Sequence, residues 1–266
     1  MELIYITADP SQAIAVQNAG VDWVMVDLEI NGKENRQGHL NTVISRHTLE
    51  DVSNVRGVLD QSGLLVRVNP LFEGSSAEVD DVIARGADRI MLPMFKHVKE
   101  VEQFLEIVDM RVPVTLLVET AAAFTRLPQI LALSGIDDIH FGLNDLHLDL
   151  GLSFMFEIFT GNLLDHAAGI ATAAGIPFGI GGAAPVGTGL LPSELILSEH
   201  ARLGSQRVIL SRAFRDIVAK ENNDIVGAIQ DFRKQHALCL DYTPSQIDTA
   251  RQAFSKAVNT IVLMKH

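Results

Sequence analysis

Val-Thr-Leu-Leu-Val-Glu-Thr (114–120) and, one strand–helix unit later, Ile-His-Phe-Gly-Leu-Asn-Asp-Leu (139–146) decide how this chain is read. Each is a short apolar run that ends at an acid, Glu119 in the first and Asp145 in the second. A carboxylate closing a run of Leu and Val is costly unless a cation or hydrogen bonds compensate it. Acids at the C-terminal ends of successive strands belong at the mouth of an α/β barrel.

The rest of the chain repeats that unit. Strands are predicted over 2–7, 22–28, 64–69, 88–93, 113–119, 137–142, 176–181 and 207–211. Helical spacing fills 9–19, 75–86, 97–109, 121–134, 155–174 and 192–203. Alternation of this kind implies parallel strands joined by right-handed crossovers. Eight units in 266 residues favour a closed (β/α)8 TIM barrel over an open sheet. Gly20, Gly63, Gly86, Gly135, Gly175 and Gly204 precede strands, where helices stop on a left-handed residue.

Two regions break the rhythm. Residues 30–48 are polar and contain glycine, and a long loop after strand two lies at the catalytic mouth. After strand eight, 212–236 and 245–264 read as two helices, the expected eighth and one extra that covers a barrel end or meets a neighbouring subunit. The expectation is one domain over 1–266, with 237–266 a C-terminal helical extension.

Composition removes several function classes. A formal net charge of −12 without basic stripes argues against nucleic acid. No apolar run approaches the roughly 20 residues of a membrane span. The opening Met-Glu-Leu-Ile-Tyr-Ile-Thr reads as a first strand, not a signal peptide. The single cysteine, Cys239, excludes an internal disulfide framework, fits a reducing cytoplasm, and reads as a packing residue.

Period two orients the polar candidates. Asp27 and Glu29 share one face of strand two, and Arg67 and Asn69 share one face of strand three. If that face is the lumen, they complete a polar rim with Glu119 and Asp145. Carboxylates without Cys or paired His select hard cations such as Mg2+ or Mn2+. Two of them leave positions open for a bidentate ligand such as a 2-oxo acid, whose enolate the metal stabilises. Arg67 suits a substrate carboxylate, and the backbone amides of Gly142, Leu143 and Asn144 can donate to the same anion. Ser211 and Arg212 end strand eight, where Arg212 is placed for an anion contact.

The plainer readings stand beside these. Glu119, Asp145 and Arg67 would serve equally as structural ion pairs, and one of Asp27 and Glu29 as an acceptor for loop amides. His39 and His47 read as solvated or capping loop residues, His140 as a satisfied core histidine, and His147 as turned into its loop. Gly-Ile-Gly-Gly-Ala-Ala-Pro-Val-Gly-Thr-Gly (179–189) either cradles a phosphate or packs tightly under a lid.

Five stretches in order carry a resemblance. They are Asp-Trp-Val-Met-Val-Asp-Leu-Glu (22–29), Val-Arg-Val-Asn (66–69), Ala-Asp-Arg-Ile-Met-Leu-Pro-Met (87–94), Leu-Val-Glu-Thr (117–120) and Gly-Leu-Asn-Asp-Leu (142–146). The chain resembles the metal-dependent HpcH/HpaI-type class II pyruvate aldolase and citrate lyase β-subunit family of phosphoenolpyruvate-type TIM barrels. The resemblance implies Glu119 and Asp145 as metal ligands and Arg67 as the substrate-carboxylate contact. It implies a homo-oligomer cleaving a 4-hydroxy-2-oxo acid to pyruvate and an aldehyde. A citryl- or malyl-CoA-type lyase acting on an acyl-CoA, and a silent carboxylate-binding barrel, are the alternatives.

The chain also departs from the family. Where the aldolase branch has a catalytic histidine after the acid matching Glu29, and the lyase branch an aspartate, this chain has Ile30. His39, His47 or water on the metal are the candidates to replace it, with Asp27 and Glu29 beside them. A positioned base contributes about 10²–10⁴-fold, so the substitution matters.

Overall fold

The computed structural model describes residues 1–31, 47–219 and 224–265. Its strands are β1 (Glu2–Ile6), β2 (Trp23–Asp27), β3 (Gly63–Arg67), β4 (Arg89–Leu92), β5 (Val114–Val118), β6 (Asp138–Phe141), β7 (Phe178–Ala183) and β8 (Arg207–Leu210). They pair in parallel in chain order, and β8 closes on β1, giving a (β/α)8 barrel.

Around it lie α1 (Pro10–Asn18), α2 (Leu49–Arg56), α3 (Ser75–Ala84), α4 (Val98–Val108), α5 (Ala121–Thr125), α6 (Leu127–Ile130) and α7 (Leu143–Asp149). α8 (Glu157–Thr160), α9 (Leu163–Ala173), α10 (Ser193–Leu203), α11 (Arg212–Ala219), α12 (Ile225–Leu240) and α13 (Pro244–Met264) follow. Among the described residues, no helix is long and apolar enough to cross a membrane.

Each strand is buried on both faces. Outward residues such as Leu3, Val24, Val66, Ile90, Leu116, Ile139 and Val208 join the helices in one large core. Inward residues form a second, small cluster of Ile4, Met25, Leu65, Met91 and Leu117 across the lumen. That belt separates two polar ends.

At the N-terminal end Asp138, fully buried, is paired with both Arg89 and Arg207, and Arg207 also pairs with Glu2. Thr115 Oγ1 donates to Asp138 Oδ1 at 2.7 Å, and Trp23 Nε1 to Glu2 Oε2 at 3.2 Å. The Arg89 guanidinium lies 5.2 Å from the Trp23 ring centroid.

Several expected boundaries move, for local reasons. The helix expected over 155–174 is α8 and α9, divided at Asn162, whose φ of 59° is left-handed. The helix expected over 212–236 is α11 and α12, because Asp224 caps a new start by accepting from Gly227 N at 2.8 Å. Residues 49–56, given no element beforehand, form α2 behind a Thr48–Asp51 capping box. Gly63 is not a helix stop. It begins β3, and a Cβ there would lie 2.4 Å from the Trp23 ring. The extra helix α13 buries Phe254, Val258 and Ile261 against its own chain, with the Phe254 ring edge-on to Phe156 and tilted against Phe159.

Candidate active site

The C-terminal end of the barrel opens into a cavity of about 280 Å³. Its chemistry starts from register. Asp27 and Arg67 are paired positions at the ends of β2 and β3, so their side chains enter the same lumen layer. Arg67 Nε and Nη2 donate to Asp27 Oδ1 and Oδ2, each at 2.8 Å, and Nη1 lies 3.4 Å from Glu29 Oε2. Burial works against the charge on Arg67, but Asp27 and Glu29 outweigh it and hold the guanidinium well above its ordinary value. Asp27 Oδ1 also accepts from Glu29 N at 3.2 Å.

Glu119 follows β5 and is 3% exposed. Its Oε1 accepts from Met94 N at 3.1 Å. Met94 has φ 57°, so the chain leaving β4 adopts a costly left-handed residue in presenting that amide. Gly142 supplies the space: a Cβ there would lie 2.8 Å from both Glu119 Cβ and Oε2. Burial pushes the Glu119 carboxyl well up, the charge of Glu29 pushes it further, Arg67 offsets part, and Asp145 raises it again. Asp145 stands half-buried in the first turn of α7 and lines the same cavity.

Asp27, Glu29 and Glu119 are thus buried around the Arg67 guanidinium. This donor set suits a hard divalent cation, which would relieve the repulsion burial enforces on Glu119. Among the described residues, no group of three or more His, Cys, Asp or Glu forms a complete cage. A cation held by Glu119 and Asp145 would keep positions for substrate.

The remaining candidates divide. Leu143, Asn144 and Arg212 line the cavity. Gly142 lines it too, but its own N–H donates to Val118 O at 3.0 Å, so only the two amides after it are left for an anion. Asn69 does not line it. Its Nδ2 donates to Glu78 Oε1 at 2.6 Å, and its Oδ1 accepts from Ile30 N and Asn31 N at 2.9 and 3.0 Å. It holds Ile30 and Asn31, just past the end of β2.

The histidines also separate. His39 lies outside the described residues. His47 Nδ1 accepts from Asp27 N at 3.0 Å, which anchors it beside the end of β2. His147 is buried with Nδ1 3.1 Å from Leu143 O. Ile30 is half exposed.

Sequence reasoning missed Arg215, which lines the cavity with Arg212 on α11, and misjudged His140. His140 is buried as expected, yet it lines the cavity and its Nε2 has no hydrogen-bond partner. Its signal was the i, i+2 relation to Asp138, both inward, opposite Gly179 on β7.

The model of the HpcH/HpaI aldolase/citrate lyase family matches residues 3–176, which run from within β1 through β6 and include both rim acids. The chain belongs to that family. Curated proteins give no sequence match. Among solved structures, the HpcH/HpaI aldolase of Desulfitobacterium hafniense DCB-2 is 16% identical with a TM-score of 0.61, over 92% of this chain and 94% of that one. An HpcH/HpaI aldolase/citrate lyase family protein of Burkholderia cenocepacia J2315 is 18% identical with a TM-score of 0.63, over 82% and 93%. The citrate synthase SbnG is 18% identical with a TM-score of 0.61, over 82% and 90%. At these identities the structures establish a shared barrel, and the family match establishes an aldolase/citrate-lyase type of enzyme.

Proposed function

We propose that this chain is a divalent-metal-dependent carbon–carbon lyase that works on a 2-oxo acid through a pyruvate-type enolate. A 4-hydroxy-2-oxo acid, cleaved to pyruvate and an aldehyde, is the substrate class that fits. The observation carrying this reading is the buried Glu119 carboxyl, pushed well up by burial, Glu29 and Asp145, at the mouth of a barrel whose family makes and breaks such bonds.

Glu119 and Asp145 would hold Mg2+ or Mn2+. The ion, when bound, supplies a Lewis acid that stabilises enolate charge. Arg67 binds the substrate carboxylate. Asp27 engages two of the five guanidinium N–H groups and fixes the plane of the fork, while the rest of the group borders the cavity. Asp27 is therefore a positioning residue, and Glu29 tunes both Arg67 and Glu119. The amides of Leu143 and Asn144, entering α7, border the same space and suit an anionic oxygen. The apolar belt below closes the lumen to water, which strengthens these contacts.

The test is deuterium incorporation into the methyl group of pyruvate, followed by NMR in D2O with Mg2+ or Mn2+ and then EDTA. Metal-dependent exchange in the wild type, lost in Glu119→Ala and Asp145→Ala, is the expected outcome. Wild-type protein that binds pyruvate with metal but never exchanges the methyl protons would refute the enolate reading.

A further inference from the structure

His140 is a buried group that the mechanism above does not use. In β6, Ile139 and Phe141 belong to the outer core, so Asp138 and His140 point inward. The His140 ring stands opposite Gly179, its register partner on β7. A Cβ at Gly179 would lie 2.3 Å from His140 Nδ1, 2.8 Å from Cε1 and 2.9 Å from Arg207 Cβ. The ring therefore fills volume that any side chain at 179 would claim, and its Nδ1 edge lies on the Arg207 side. Toward the mouth, a Cβ on Gly181 would be 3.9 Å from Nε2. β7 is irregular between Ile180 and Ala183, and Gly182 there has φ 69°. The two glycines keep the wall beside Nε2 bare.

That nitrogen is fully buried and unpartnered, on a ring that borders the cavity with Arg67, Glu119 and Asp145. Unmade buried hydrogen bonds are rare in folded proteins and need an explanation. Burial lowers the ring to about 3, with Arg207 and Arg67 acting in the same direction, so it is neutral at physiological pH. A neutral imidazole carries one N–H and one lone pair. With its lone pair on Nδ1, such a ring carries its proton on Nε2, the unpartnered nitrogen beside Gly181.

We propose that His140 is a substrate-contacting residue of this site, donating from Nε2–H to an oxygen of the bound oxo acid. The bond strengthens as negative charge builds on that oxygen, and no proton leaves the ring. A neutral imidazole is well matched to such a role, because its N–H is a weak acid close in strength to an enol. The inference rests on the enolate reading and adds a donor on β6, the strand that leads into α7 and Asp145.

The experiment titrates oxamate, an unreactive analogue of the pyruvate enolate, into Mn2+-loaded wild type, His140→Phe and His140→Gln by calorimetry. The imidazole ¹⁵N and ¹H signals of the wild type are followed in parallel with Mg2+. The expected result is a shifted Nε2–H signal on binding and about a 10-fold or greater loss of oxamate affinity in His140→Phe. Mn2+ affinity should be unchanged, and His140→Gln, which keeps a donor, should recover part of the loss. Equal oxamate affinity in all three proteins overturns this inference alone. A variant that loses Mn2+ as well makes the ring a prop for the metal site, and also overturns it. Failure of the wild type to bind oxamate with metal overturns the enolate reading and this inference together. Should His140→Phe not fold, an unmoved Nε2–H signal in the wild type overturns the inference by itself.

Discussion

The two ends of the barrel use the same residue types to opposite effect. At the N-terminal end Arg89 and Arg207 meet Asp138 and Glu2, so two cations face two anions, roofed by Trp23. At the C-terminal end Arg67 sits among buried Asp27, Glu29 and Glu119, with Asp145 at the rim and Arg212 and Arg215 lining the same cavity. A buried cluster that cancels its charge needs nothing further and seals the barrel. One in which a buried carboxyl such as Glu119 is pushed well up by burial and by its acidic neighbours is costly as it stands, and a cation would relieve it. Arg–carboxylate contacts alone do not mark a site; the repulsion on Glu119 does.

Breaking each end should therefore give different failures. Glu119→Gln and Asp145→Asn are expected to lower metal-dependent pyruvate exchange by about 100-fold or more, while leaving thermal unfolding near wild type or raising it for Glu119→Gln. Mn2+ should raise the melting temperature of the wild type and not of Glu119→Gln, because only a cation-binding native state gains by linkage. At the other end, Asp138→Ala leaves two buried arginines without their shared partner. It should cost about 3–5 kcal/mol of stability, read by urea unfolding, with the exchange rate per folded molecule unchanged. Exchange lost in Asp138→Ala protein that is still folded would sink the division of labour.

Acid should act through the buried histidines. His140 and His200 are both lowered to about 3 by burial, against 6.5 for the free side chain. The unfolded chain then binds more protons between about pH 3 and 6.5, so stability is full above 6.5 and falls as pH drops through that window. Each histidine contributes roughly 1.4 kcal/mol per pH unit there, or about 2 kcal/mol at pH 5. Urea midpoints at pH 7 and pH 5 measure it, and His200→Phe should flatten the slope. His200 Nδ1 is engaged with Ser205 Oγ at 3.1 Å, so the comparison is cleaner as a slope than as an absolute stability.

How much of this could be read from the chain follows the same physics. The strands were legible because each is an apolar run fixed between helices, and the rim acids because a carboxylate cannot end such a run without a reason. Asn69 was misplaced because period two was carried past Arg67, where β3 ends. The sealed end was not anticipated. Glu2, Arg89, Asp138 and Arg207 stand at strand starts, where charge normally marks the exit to solvent, and only barrel closure brings them together. His140 was read as satisfied because pattern alone places a ring inside the lumen without saying what its nitrogens meet. The HpcH/HpaI kinship lay in motifs that hold residues in register, which is why it survives while the position after Glu29 does not.

The finest contrast is between two glycines. Gly142→Ala puts a methyl group 2.8 Å from Glu119 Cβ and Oε2, so the carboxylate must move. Gly63→Ala puts one 2.4 Å from the edge of the Trp23 ring in the sealed end. Overpacking of this kind costs about 1–3 kcal/mol, and that cost should appear in full for Gly63→Ala because Trp23 is pinned between Arg89 and Glu2. Gly142→Ala should lose a similar amount, because Glu119 Cβ moves only with the backbone after β5 even if its carboxylate yields toward the cavity. It should also lose about 10-fold or more in metal-dependent exchange, a displacement of roughly an ångström being enough to misplace a reacting group. Melting curves beside exchange rates for the two variants decide it. A Gly142→Ala protein with wild-type exchange would mean that the position of Glu119 is not critical, and Glu119 would lose its claim to be the centre of the site.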